Sequence, residues 1–263
     1  MLTFQNYVRA QSLEEAYELN QKKQNRVIGG MLWLKMSSGS ANTVIDLCDL
    51  GLDTIEENDE QFSIGAMVTL RQLEQSEALN QYTCGMAAKA VRNIVGVQFR
   101  NMATVGGSLW GRFGFSDVLT LFLSMESYVE LYKGGTVPLE EFVSMKRDND
   151  ILVRLIVKKV PGKYSYEAMR IQKTDLPVLN VSASLLGNEA RVVIGARPGK
   201  GIIVRDEKGI LANGITPDSA KAFADYAASS VRTSSNLRGS AAYRTRLAKV
   251  LTERNLLTLG GIR

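Results

Sequence analysis

Histidine is absent from this sequence, and with it the commonest acid–base catalyst near neutral pH. Only two cysteines occur. Neither Cys48 nor Cys84 has another cysteine two to four residues away, which excludes the usual zinc and iron–sulfur frameworks within the chain and leaves a disulfide without support. Any reaction is therefore expected to be carried by a bound cofactor. No run of eighteen uncharged apolar residues exists, and Met1-Leu2-Thr3-Phe4-Gln5 has neither a basic start nor a hydrophobic stretch, so a soluble, cytoplasmic protein that spans no membrane is expected. Also missing are a Gly-x-Gly-x-x-Gly after a strand and a Gly-x-x-x-x-Gly-Lys-Ser/Thr, which removes support for a Rossmann site and for a nucleotide-hydrolysing P-loop. The formal charge is +5, with Arg232, Arg238, Arg244, Arg246 and Lys249 crowded late in the chain. Neither aromatic stacking platforms nor a nucleic-acid motif accompany them, so they are read as a solvated helix face or a contact for an acidic protein partner, not a nucleic-acid footprint.

What the sequence does contain is a chain of 263 residues, 45% hydrophobic, long enough for a substantial core divided among two or three subdomains. It also contains two short glycine turns, Val27-Ile28-Gly29-Gly30 and Ala103-Thr104-Val105-Gly106-Gly107. Glycine permits positive φ and lacks the Cβ that keeps a ligand away from the chain, and successive bare N–H groups at such a turn can form an anion nest. The competing reading is two tight turns in a well-packed fold.

Local signals place the elements. Ser12-Leu13-Glu14-Glu15 has capping-box spacing and predicts a helix to about Lys22; Thr69-Leu70-Arg71-Gln72 repeats the pattern. Strands are expected at Arg26 to Ile28, Val44 to Leu47 and Phe62 to Ala66, with a short helix or turn from Met31, and a longer helix from about Tyr82 to Val95 puts Met86, Ala90 and Ile94 on one face. Gly134-Gly135 predicts a hairpin between Ser127–Lys133 and Thr136–Leu139, with positive φ at both glycines. A strand from Ile151 to Val160 ends at Pro161-Gly162, a domain boundary. Beyond it come strands at Val178 to Leu185 and Ala190 to Ile194, a helix over residues 217–229 announced by Thr216-Pro217, and a last helix from about Ser240 to Leu251. Strands followed by helices make this C-terminal piece a small α+β unit.

The run Gln98-Phe99-Arg100-Asn101-Met102-Ala103-Thr104-Val105-Gly106-Gly107-Ser108 resembles the FAD-binding subunit (medium subunit) of the molybdenum hydroxylases, the xanthine dehydrogenase and carbon monoxide dehydrogenase family. The resemblance takes in Val27-Ile28-Gly29-Gly30, Ile64-Gly65-Ala66, Leu70, Leu73-Glu74 and Ser116-Asp117. Asn236-Leu237-Arg238-Gly239-Ser240-Ala241-Ala242-Tyr243-Arg244 resembles the stretch that opens the last helix of that family. It implies an α+β fold: a two-lobed FAD-binding domain of the vanillyl-alcohol-oxidase/PCMH type, residues 1–55 and 56–161, then a C-terminal subdomain over 162–263. By the same resemblance, Val27, Ile28, Gly29, Gly30, Met31, Leu32 and Trp33, with Thr104, Val105, Gly106, Gly107 and Ser108, cradle the diphosphate and neighbouring parts of FAD. Thr104 is a hydroxyl donor to phosphate, Asp117 the anchor of the adenosine end, and Ile94 and Leu152 apolar contacts.

Plainer readings stand beside these: Asp117 caps a helix starting near Val118, Thr104 bonds only its own turn, Ile94 and Leu152 pack a core, and Trp33 stacks on flavin or fills a lobe interface. Departures from the family include Met31 in place of a small polar residue and no proline after Ser116. Glu167 falls near a lysine position, and Arg112 is either a charge for the cofactor or donor interface or a solvent-facing residue. The implied function is FAD-dependent electron transfer in a multi-subunit molybdenum-dependent dehydrogenase. Electrons pass from a 2Fe–2S subunit and a molybdopterin-binding subunit to FAD and on to NAD+ or another acceptor, during purine or N-heterocycle oxidation. A free-standing FAD oxidoreductase and a scaffold subunit that has lost flavin are the alternatives.

Overall fold

The computed structural model describes residues 1–262, and the chain divides into two compact units that each draw on several chain segments. The first unit comprises residues 1–72, 97–111 and 127–159. It opens on a parallel sheet of β1 (Thr3–Arg9), β2 (Arg26–Ile28) and β3 (Ser40–Asp46), with β3 in the middle. Parallel strands need a crossover, and the helix Leu13–Asn20 supplies it. Ser12 starts that helix by accepting from the Glu15 amide at 3.1 Å, while the Glu15 carboxylate takes the Gln11 amide at 2.8 Å instead of returning to Ser12. Ala10, Ala16, Ile45 and Leu47 close a core with Leu52, Ile151 and Val153.

A second, antiparallel sheet of the first unit has the order β4 (Ile55–Glu57), β5 (Gln61–Gly65), β8 (Leu152–Lys158), β6 (Ser127–Leu131), β7 (Gly135–Pro138). Its β6–β7 hairpin forms where expected, but only Gly135 has positive φ (68°), so the connection is not the primed turn that two left-handed glycines would make. The segment after it becomes the helix Leu139–Ser144, not more strand. The second capping box is complete: Thr69 Oγ1 accepts from the Gln72 amide at 3.1 Å and Gln72 Oε1 from the Thr69 amide at 2.8 Å.

The second unit comprises residues 73–96, 112–126 and 160–263. Its antiparallel sheet runs β12 (Ile202–Arg205), β11 (Glu189–Gly195), β10 (Leu179–Leu186), β9 (Gly162–Met169). Of the helix expected over 82–95 only Met86–Val91 forms, and a separate short helix, Glu77–Tyr82, precedes it. Left-handed backbone at Cys84 (φ 53°) and Gly85 (φ 79°) interrupts the i→i+4 ladder between them. The helix Pro217–Ser230 carries a capping box between Thr216 and Ser219, and we expect Thr216→Ala to lower stability by about 1 kcal/mol in urea denaturation. The C-terminal helix Ala241–Leu259 extends eight residues past the expected end, because Leu251, Asn255, Leu256 and Leu259 continue a buried stripe.

Candidate functional site

In the first unit, β2 ends at Ile28, 6% exposed, and the chain turns through Gly29 and Gly30 into a single 3₁₀ turn at Leu34–Met36. Met31 adopts φ +59°, an uncommon conformation for a residue with a side chain. The Met31 carbonyl closes the turn by accepting from Lys35 at 3.0 Å. Among the described residues, the amides of Gly30, Met31 and Leu32 donate to no protein backbone or side-chain acceptor. Three consecutive unused donors at a strained turn are the features an anion requires.

The second turn lies against the first. A Cβ on Gly29 would stand 2.4 Å from Thr104 Oγ1, and one on Gly30 would stand 1.6 Å from the Met102 carbonyl oxygen. These glycines are therefore required by the approach of the other turn, a reason the sequence reading assigned to a ligand. Expectation is corrected at the second turn too, where bare amides were anticipated. Val105 donates to the Val68 carbonyl and Gly106 to the Ala66 carbonyl, both at 2.8 Å, and Gly107 donates to Thr104 Oγ1 at 3.1 Å. Thr104 is thus the N-cap of the helix Val105–Trp110, and its hydroxyl keeps its own proton to donate elsewhere. Gly106 is a packing glycine, since a Cβ there would meet Ala66 at 2.7 Å. Gly107 differs: its missing Cβ points where only Thr104 Oγ1, at 3.0 Å, lies within 4 Å. Ser108 bonds back to the Thr104 carbonyl at 2.8 Å, and Leu152, 6% exposed, sits in β8 beneath this helix.

Apolar surface borders these turns. Trp33 meets Phe99 edge-on, ring centroids 5.8 Å apart, and Trp33, Val97 and Met102 are all exposed. Phe99, Val97 and Met102 were not among the sequence candidates; the backbone contact between Gly30 and Met102 is what gathers them.

Ile94 and Asp117 belong to the second unit. Ile94 follows the helix Met86–Val91, its amide bonded to the Val91 carbonyl at 2.9 Å. Asp117 does not cap its helix; Ser116 does, accepting from the Leu119 amide at 3.1 Å. The Asp117 carboxylate is instead the hub of a buried network. It accepts from Tyr166 Oη and, at 2.8 Å, from Asn180 Nδ2, and pairs with Arg170 Nη2 at 2.8 Å, both charged side chains being under a tenth exposed. Burial and then the Asp117 charge hold the Tyr166 phenol well above its usual range. Burial alone would lower the Arg170 pKa, but the carboxylate and its hydrogen bonds raise it. These partners lie 49 to 63 residues away, beyond any local sequence pattern. Glu167, near the family's lysine position, forms an ion pair with Lys89 at 2.6 Å. Arg112 is 5% exposed with φ +46°, which removes the solvent-facing reading. Among the described residues there is no metal-binding cluster of Cys, Asp and Glu, and no helix long and apolar enough to cross a membrane.

Residues 2–161 match the family described as the FAD binding domain in molybdopterin dehydrogenase. Over nearly its whole length the chain is similar to the nicotine 6-hydroxylase medium subunit of Paenarthrobacter nicotinovorans, at 26% identity covering 97% of this chain and 96% of that one. It is also similar to the glyceraldehyde dehydrogenase medium chain of Sulfolobus acidocaldarius, at 25% identity covering 94% and 95%. Among solved structures, the reconstituted CO dehydrogenase from Oligotropha carboxidovorans superposes with a TM-score of 0.88 at 21% identity, covering 99% of this chain and 98% of the other, and shares the fold. With its family match spanning more than half of its residues, this chain belongs to the FAD-binding domains of the molybdopterin dehydrogenases and aligns end to end with their medium subunits.

Proposed function

We propose that this chain is the electron-transfer subunit of a multi-subunit molybdenum-dependent dehydrogenase, and that the diphosphate of FAD sits on Val27–Trp33 beside Thr104–Ser108. The observation that carries this reading is the pairing of the unused amides of Gly30, Met31 and Leu32 with the open side of Gly107. The residues present fit the group: amide donors for phosphate oxygens, a threonine hydroxyl next to Gly29, and an apolar border at Trp33 and Met102 for ring surface. When bound, FAD takes up electrons singly and releases them in pairs. The protein's part is to hold it. The Thr104 hydroxyl donates to phosphate while accepting the Gly107 amide; Gly107 lets the ligand approach the chain. Met31 has no polar side chain to offer, so binding at that position is through the backbone. Val105, Gly106 and Leu152 support the cradle from behind. Asp117 acts as a positioning residue, fixing Tyr166 and Arg170 within its own unit.

The partners in this reading are a 2Fe–2S subunit and a molybdopterin-binding subunit, with NAD+ or another electron acceptor and a cytoplasmic location. An N-heterocyclic substrate is supported by the relative named for nicotine; the other relative is named for glyceraldehyde. We further propose three domains, 1–55, 56–161 and 162–263. The sheets support this division, since their strands span residues 3–46, 55–158 and 162–205. Native mass spectrometry of the complex purified from its source tests the function. The expected result is one FAD per chain together with two further subunits. A colourless chain, or a lone chain with full substrate turnover, would overturn it.

A further inference from the structure

The stretch Asn236–Arg244 takes no part in the cradle, yet it is held by a dense set of hydrogen bonds. Arg244 is 1% exposed. Its Nε donates to the Val178 carbonyl at 2.9 Å, Nη1 to the carbonyls of Ser234 (2.8 Å) and Gly239, and Nη2 to Asn236 Oδ1 at 2.6 Å. Asn236 and Gly239 exchange backbone bonds at 3.1 and 3.2 Å, the Arg238 amide donates to Asn236 Oδ1 at 2.9 Å, and Ser235 Oγ takes the Ala241 amide at 2.9 Å. A buried guanidinium costs several kcal/mol unless such bonds offset its lost hydration. Every residue of the turn is thus fastened except Leu237, whose side chain is fully exposed at 106%.

A single exposed leucine is ordinary. Here it has company. The Arg238–Asp175 ion pair at 3.1 Å joins the turn to the segment after β9, where Ile171 is 61% exposed; Val178, which accepts Arg244, donates to the carbonyl of exposed Met169 at 2.7 Å. On the other flank, Tyr243, 40% exposed, lies beside Gly239. No Asp or Glu occurs between Asp225 and Glu253; of the basic residues at the surface of that stretch, Arg238 is neutralised by Asp175 and Lys249 by Asp225, which leaves Arg232 and Arg246 to give it a net positive charge. An apolar tip on a turn held in one shape binds without paying to order itself.

We propose that Met169, Ile171, Leu237 and Tyr243 form the docking surface for a subunit of the same complex that presents an apolar pocket rimmed by carboxylates. This rests on the reading of the chain as one subunit of a larger dehydrogenase. A second copy of this chain fits less well, because a two-fold contact would bring Arg232 and Arg246 toward their own copies.

The test uses the chain co-expressed with its partner subunits, comparing wild type with Leu237→Asp and Leu237→Ser by native mass spectrometry and partner titration. The expected result is an affinity loss of about thirty-fold or more, the size of an interface hot spot, with flavin content and melting temperature unchanged. Arg232→Glu with Arg246→Glu should slow association and flatten its salt dependence. Leu237 variants that assemble with wild-type affinity overturn the inference while leaving the proposed function standing. A wild-type chain that copurifies with no other subunit overturns both. A wild-type dimer of this chain that dissociates on Leu237→Asp overturns it in favour of self-association.

Discussion

Gly107→Val should give a folded protein that purifies without flavin. The Cβ of the new side chain has only Thr104 Oγ1 near it, at 3.0 Å, and this oxygen is the end of a short side chain that already caps the same helix turn. Glycine inside a helix is also unfavourable by about 1 kcal/mol relative to alanine, so a larger residue does not cost helix stability beyond the small β-branched penalty. The two methyl groups would fill the space from which a diphosphate reaches the chain. We expect flavin affinity to fall more than about tenfold, measured as visible flavin absorbance per mole of protein, with an unaltered circular dichroism melt. Gly30→Ala is the contrasting variant. Its Cβ would overlap the Met102 carbonyl at 1.6 Å, and backbone cannot yield as a flexible side chain can; overpacking of this kind costs about 1–3 kcal/mol or more. That variant should lose stability and flavin together. Full flavin occupancy in a folded Gly107→Val protein would place the cofactor elsewhere.

Asp117→Ala should be the most destabilising of the single substitutions considered, by about 3–5 kcal/mol, the range for breaking a buried ion pair from one side. Truncation leaves the Arg170 guanidinium, the Tyr166 hydroxyl and the Asn180 amide without their common acceptor in a site under a tenth exposed. Tyr166→Phe removes one donor and leaves the carboxylate with two, so it should cost about 0.5–1.5 kcal/mol. Urea denaturation separates the two outcomes, and equal losses would mean that the carboxylate is not the hub. The network also predicts an alkaline limb. The phenol is held above its usual pKa of about 10, so the folded state keeps a proton that the unfolded chain releases. Its contribution is complete below about pH 10 and is lost as pH rises above that value. Tyr166→Phe should flatten part of that decline.

Much of this molecule was legible locally. The capping residues Ser12, Thr69 and Thr216 could be read because each is decided by a bond spanning three residues. The strand Thr3–Arg9 was not readable. It lies at a sheet edge with six of its seven residues exposed, so no alternation of buried and exposed positions marks it. The break at Cys84-Gly85 was hidden for the opposite reason, since apolar residues on both sides continue a helical period across it.

Composition and motif by themselves settled that the chain carries no histidine or cysteine cluster for chemistry of its own, and its ordered run of glycines and polar residues pointed to a flavin family. Tertiary structure alone decided what each of those residues does. Gly30 and Gly106 are glycines because other backbone lies against them and Gly29 because the Thr104 side chain does, while at Gly107 a Cβ would meet only the Thr104 hydroxyl, at 3.0 Å. Asp117 holds a network reaching to Asn180, and Arg244 fastens a turn that displays Leu237. Sequence spacing encodes bonds within a few residues, whereas a Cβ clash, or a carboxylate that meets its donors 49 to 63 positions away, exists only once the chain has brought distant segments into contact.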